Sequence, residues 1–178
     1  MNSTARRSLK WLFVFFILSS SAFAENPPTE NKYLYKVTRV SDGDTFDATD
    51  GNIVFRVRIA GIDAPEKKQA FGQMATSRLK ELILDKNIEI VRVGSGHDAF
   101  NRVLGQVVVD GKDIGIEMIS QGLATYYRPG CVDYPLNKKK YDYDPRAYVD
   151  AETVARSGNI NFWSGNTELP CQYRKENK

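Results

Sequence analysis

YLYKVTRVSDGDTFDATDGNIVFRVRI, residues 33–59, holds three runs rich in β-branched and aromatic side chains: Tyr33 to Val40, Thr45 to Ala48 and Ile53 to Ile59. Such runs bounded by Gly, Asp and Asn read as strands. Asp50-Gly51, between the last two, is a hairpin signal, because a tight two-residue turn demands positive φ and Gly accepts it without steric cost. Three strands joined in succession make an antiparallel meander, which a βαβ sheet does not contain.

Working outward, Ala75, Leu79, Leu82 and Ile83 recur at helical spacing and predict a helix from Phe71 to Leu84, ended by Asp85-Lys86-Asn87. Ile88 to Val93 and Val103 to Val109 predict two more strands, the second closing on Asp110-Gly111. A short helix follows from Ile114 to Gln121, stopped by Gly122. Asp144-Pro145 supplies an N-cap and first helical residue for a third helix, with Ala147, Ala151, Val154 and Ala155 inward and Gly158 at its end. The sum is an α+β, mainly β domain: a five-stranded OB-type barrel with three helices.

The chain has 178 residues, of which 42% are apolar, enough for one core. Its start reads as a signal peptide over residues 1–24: Arg6, Arg7 and Lys10, an apolar run from Trp11 to Leu18, then Ala22-Phe23-Ala24. Cleavage after Ala24 predicts an exported protein, periplasmic or extracellular, with no membrane anchor left. Residues 25–32 read as a flexible lead-in and 33–166 as the folded domain. The net charge of +3 resides in the leader: losing Arg6, Arg7 and Lys10 from 25 basic residues leaves 22, equal to the 22 acidic ones. Overall basicity therefore says nothing about nucleic acid, and any polyanion affinity must come from local placement of Arg and Lys. Two cysteines, Cys131 and Cys171, are expected to pair in an oxidising compartment and to tether a C-terminal tail, residues 167–178.

The inventory excludes several chemistries. His97 is the only histidine, so no His/Cys zinc centre can be assembled, and no G-x-S-x-G elbow accompanies it. His97 reads as a loop residue. What remains is carboxylate and arginine chemistry in three patterns. Asp42-Gly43-Asp44-Thr45 places two short carboxylates one residue apart, able to face a hard cation, although taken alone such a stretch is more often a plain turn. Arg56-Val57-Arg58-Ile59-Ala60-Gly61-Ile62-Asp63-Ala64-Pro65-Glu66 lets an anion clamp, a cation ligand and a base converge within eleven residues, although taken alone a solvated strand end with a capping Asp is the favoured reading. Arg56 shares a strand face with Arg58. Asp98-Ala99-Phe100-Asn101-Arg102 delivers an arginine to the start of a strand, with an ion pair to Asp98 as the plain alternative.

In this order, followed by Gln121-Gly122-Leu123-Ala124 and Asn161-Phe162-Trp163-Ser164, the patterns resemble the staphylococcal nuclease family from about Tyr33 to Ser164. The resemblance implies an OB-fold enzyme that cleaves DNA and RNA using one Ca²⁺. Carried over, it implies Asp44 and Asp63 as Ca²⁺ ligands, the Ala64 carbonyl as a third, and Asp42 in the outer shell. Arg58 and Arg102 become the catalytic phosphate clamp and Glu66 the general base; Arg56 has the wrong spacing to Asp63. Ala64 stands where the family's founding member has Thr, Phe100 replaces the more usual Tyr, and the 130–143 loop is longer than the family's minimal form. Phe100, Tyr126, Tyr127, Lys138, Lys139 and Lys140 are candidate contacts for single-stranded substrate with little sequence specificity. A monomer is expected. Two other classes fit less well: a non-catalytic OB module binding nucleic acid or protein has no need of all five charged residues, and a carboxylate-pair glycosidase has no need of two arginines.

Overall fold

In the computed structural model, residues 33–132 and 143–177 are described. Residues 1–32, read above as a signal peptide and lead-in, and Lys138 to Lys140 lie outside the described residues. The meander is present as β1 (Leu34–Val40), β2 (Thr45–Thr49) and β3 (Val54–Ile59), followed by the two-residue β4 (Ile62–Asp63). Helix α1 (Gly72–Ile83) leads to β5 (Asn87–His97), β6 (Val103–Val109) and the two-residue β7 (Lys112–Asp113). Then come α2 (Ile114–Ser120), the short β8 (Thr125–Tyr126), α3 (Arg146–Ser157) and α4 (Pro170–Glu176). The strands run in the order β3-β2-β1-β5-β6-β7, and a parallel β3–β6 pairing closes the first five into a barrel.

The barrel interior follows from period-two alternation. Val103, Gly105, Val107 and Val109 of β6 face inward while the residues between them are half-exposed. Val37, Phe46, Ala48, Val57, Ile59 and Ile88 are buried from the other strands, and α1 covers one end with Ala75, Leu79 and Ile83.

Four points differ from the sequence reading. There are four helices among the described residues, not three: residues 170–176 form α4, seven residues with Pro170 in the first turn and no apolar stripe long enough to predict a helix. In α3 the N-cap is Pro145 rather than Asp144. Its inward face is Tyr148, Glu152 and Ala155, whereas Ala147 and Val154 are exposed. Polar Glu152 is tolerated inside because distant groups satisfy it, a condition that apolar periodicity cannot register. His97 ends strand β5, paired with Val103, rather than lying in a loop.

Candidate active site

The site is assembled where β2, β3 and β6 meet at one rim. A tight turn sets Asp42 and Asp44, with both the Ser41 and Asp42 amides donating to the Thr45 carbonyl. Gly43 is required there by packing: a Cβ would lie 2.6 Å from that of Ala64 and 2.8 Å from that of Ala75. Pairing of Thr45 with Arg58 then brings Asp44 beside the Arg58 side chain. Arg58 Nη2 sits 3.0 Å from Asp44 Oδ2 and 3.5 Å from Asp63 Oδ1, and Arg58 also donates to the carbonyls of Ile59 and Ile62. A single guanidinium nitrogen thus links the two carboxylates.

Asp63 is fixed by β4, which pairs with β8 as Asp63 against Thr125, and its side chain is 2% exposed. The Ala64 amide donates to Asp44 Oδ2 at 2.9 Å, tying the turn after β4 to the turn before β2. Glu66 is presented past Pro65 by a local loop in which its amide donates to Gln69 Oε1 and its carbonyl accepts from the Gln69 amide. Gly72 allows this loop to close on α1, since a Cβ there would overlap the Glu66 carbonyl oxygen. Arg102 stands just before β6, whose parallel register sets Leu104 beside Arg58. Its guanidinium pairs with Asp98 at 2.6 Å and reaches Thr45 Oγ1 at 3.4 Å, and that hydroxyl donates to Asp44 Oδ1. The ion pair with Asp98 is therefore present, and it holds Arg102 on the wall of the cleft rather than away from it.

Asp42, Asp44, Arg58, Ala64, Glu66 and Arg102 line one open cleft of about 810 Å³. Phe100, 80% exposed, and Tyr127 also line it. Tyr126 does not: it is 5% exposed within the core, and its amide donates to Glu152 Oε1. Tyr126 is therefore corrected from substrate contact to core residue, because alternation along β8 turns neighbouring side chains to opposite faces. Arg56 points with Arg58 but pairs with Asp47, outside the carboxylate cluster. Two participants escaped the sequence reading. Thr45 bridges Arg102 to Asp44, and Arg174 of α4 donates to Asp63 Oδ2 at 2.9 Å and Glu66 Oε1 at 3.0 Å. The expected Cys131–Cys171 disulfide is present, with Cα atoms 5.7 Å apart, and it fixes the tail near residue 131, although nothing in that pairing points Arg174 at Asp63 or Glu66.

The acidic cluster is electrostatically uncomfortable. Burial first, and the neighbouring Asp44 carboxylate second, push the Asp42 carboxyl up to about 6. Asp63 is also raised, by burial, against the opposing pull of Arg174. Among the described residues, no group of three or more His, Cys, Asp or Glu side chains converges as a metal centre. What the site offers is smaller and entirely oxygen: the Asp44 and Asp63 carboxylates, brought together on Arg58, with Asp42 beside Asp44. Such a set suits a hard divalent cation completed by water, and a cation would relieve the repulsion that raises Asp42.

A barrel rim that gathers carboxylates and arginines into one open cleft defines a hydrolase of anionic esters. The chain matches the family described as staphylococcal nuclease homologue over residues 56–165. It is 35% identical over 169 residues to an uncharacterized endonuclease of Haemophilus influenzae, covering 94% of this chain and 83% of that relative. It is 31% identical over 153 residues to a micrococcal nuclease of Shigella flexneri, covering 80% and 81% of the two chains. An uncharacterized endonuclease of Escherichia coli is 32% identical over 136 residues, covering 76% and 80%. The chain belongs to the staphylococcal nuclease family and is a hydrolase of the nuclease class.

Proposed function

We propose that this nuclease is exported, depends on Ca²⁺ and cleaves both DNA and RNA with little sequence preference, leaving 3′-phosphate and 5′-hydroxyl ends. The observation that carries this reading is the convergence of Asp44, Asp63 and Glu66 on one rim with Arg58 between the first two. Asp44, Asp63 and the Ala64 carbonyl would hold the cation, with Asp42 in its outer shell. When bound, the cation supplies neutralisation of a nonbridging phosphate oxygen.

The chain's own residues do the rest. Glu66, 41% exposed at the cleft mouth, accepts a proton from the attacking water. The water oxygen forms its bond to phosphorus as the P–O5′ bond breaks, and the departing oxygen takes up a proton from solvent water to become the 5′-hydroxyl. Arg58 and Arg102 face the charge that accumulates on the equatorial oxygens, so they stabilise the pentacoordinate transition state more than the ground state. Phe100 and Tyr127 offer ring faces on the cleft wall, on which any base stacks. Asp98 keeps Arg102 aimed, with its own carboxyl held low because the Arg102 hydrogen bonds outweigh the upward push of burial. The leader sequence supports export.

Incubation of the protein with plasmid DNA and with RNA, with Ca²⁺ or with excess chelator, tests this directly. Cleavage of both substrates in Ca²⁺ is expected, with loss under chelator and a fall of about 10²-fold or more in Glu66→Gln. Cleavage that survives chelator would remove the metal from the reading, and a fully active Glu66→Gln would remove the base.

A further inference from the structure

The C-terminal helix does more than tether the tail. Three links hold α4 in place: the Cys131–Cys171 bridge, the Lys175 ammonium on the Gly130 carbonyl at 3.1 Å, and the Gln69 amide on the carbonyl of Glu168 just before it. Cys171, Arg174 and Lys175 line the same cleft as Asp44, Arg58 and Glu66. Arg174 lies across the carboxylates to which the reaction assigns most, with one guanidinium nitrogen on Asp63 and the other on Glu66. It is 39% exposed, so the helix borders the cleft without filling it.

We infer that Arg174 is a third phosphodiester-binding arginine, contributed by a covalently anchored C-terminal helix and drawn off Asp63 and Glu66 by the substrate backbone. The inference rests on the nuclease reading of the cleft given above. Three observations carry it. A guanidinium that spans two carboxylate oxygens presents the same fork of parallel N–H donors that fits two oxygens of one phosphate. Arg58 and Arg102 each keep a further anchor, the Ile59 and Ile62 carbonyls for the first and Asp98 for the second, whereas the contacts seen for Arg174 are the two carboxylates whose oxygens the reaction needs. Transfer of Arg174 to the phosphate would therefore bind substrate and uncover a ligand and a base in one movement. Finally, a helix stapled by a disulfide does not leave the cleft while the bridge is intact. It serves as a fixed wall, and the moving part is the long Arg174 side chain.

The experiment is fluorescence anisotropy of a labelled single-stranded oligothymidylate with the full chain, in chelator so that nothing is cleaved. Arg174→Gln is expected to weaken binding about tenfold and to lower the slope of log affinity against log salt by about one. Arg174→Lys, which keeps the charge but not the fork, should fall between Arg174→Gln and the unmodified protein. Arg146→Gln, which removes an exposed cation paired with Asp144 outside the cleft, should bind within about twofold of the unmodified protein. Reduction of the disulfide, verified by thiol titration, should weaken binding severalfold and make Arg174→Gln add little more. Unchanged binding by Arg174→Gln would overturn the inference. So would tighter binding or faster cleavage in Ca²⁺, which would make Arg174 a plug on the site. Failure of the unmodified protein to bind the oligonucleotide in chelator, together with failure of Glu66→Gln to bind it in Ca²⁺, would instead overturn the reading of this cleft as the nucleic-acid site.

Discussion

Two clusters in this protein are built from the same side chains and have opposite characters. In the first, Arg128 and Glu152 lie buried between α3 and β8, 9% and 4% exposed. Arg128 donates to both Glu152 oxygens and to the Tyr126 carbonyl, while Glu152 also accepts the Tyr126 amide and faces Arg156 at 3.5 Å. Each ionised group has a partner of the opposite sign, which is the condition under which a buried pair is tolerated. In the second cluster Asp42, Asp44, Asp63 and Glu66 crowd one rim, and burial with mutual repulsion raises Asp42 and Asp63. The difference separates structure from function: the satisfied pair holds β8, β8 holds β4, and β4 presents Asp63 to a cluster in which four carboxylates share two arginines, Arg58 and Arg174.

Breaking the satisfied pair should have the largest effect. Glu152→Ala strands Arg128 in the interior and leaves the Tyr126 amide without its acceptor, so urea titration should show a loss of about 3 to 5 kcal/mol. The equivalent change at the rim should be mild. Asp44→Asn keeps an oxygen to accept the Ala64 amide and removes one of the repelling charges, so stability should stay within about 1 kcal/mol while cleavage falls about 10²-fold or more. Equal destabilisation by the two substitutions would erase the contrast.

The smallest effect is the pH response of the rim. The Asp42 carboxyl titrates at about 6 in the folded chain, above its value of 3.8 when unfolded, so folding favours its protonated form. Its contribution is full below pH 4 and is lost as pH rises through 6. Because the site is partly open to solvent, the loss should be on the order of 1 kcal/mol. Melts of the metal-free protein between pH 4 and 7 should show this decline, and Asp42→Asn should flatten it. Asp47 provides the opposite sign. Burial pushes its carboxyl up, but hydrogen bonds from Arg56 and Arg39 bring it below the usual range, so its contribution is present above pH 4 and lost on acidification.

The barrel was legible in the sequence because its signals are local: β-branched alternation in β1 to β3 and β6, and Asp-Gly at the turns. The Asp44, Arg58, Asp63 and Glu66 cluster was legible for a similar reason, since one hairpin register and one following turn bring these residues together. Arg174 was not, because its partners lie 108 and 111 residues away in the chain and α4 is too short to carry a periodic pattern. Glu152 was missed on α3 for the converse reason: its burial depends on Arg128, 24 residues earlier, and helical spacing of apolar residues selected exposed Val154 in its place. In both cases the deciding interaction is a long-range ion pair, which no local window contains.

The central claim, that four rim carboxylates share two arginines while the interior pair is balanced, is tested most directly by melting the protein across a Ca²⁺ titration. Ligand at 100 times its dissociation constant stabilises by about 2.7 kcal/mol, a rise of about 5 °C or more for a chain of this size. The unmodified protein should show that rise, Glu152→Gln should retain it from a lower starting temperature, and Asp44→Asn should lose it. A melting temperature indifferent to Ca²⁺ in the unmodified protein, or an undiminished rise in Asp44→Asn, would contradict the account.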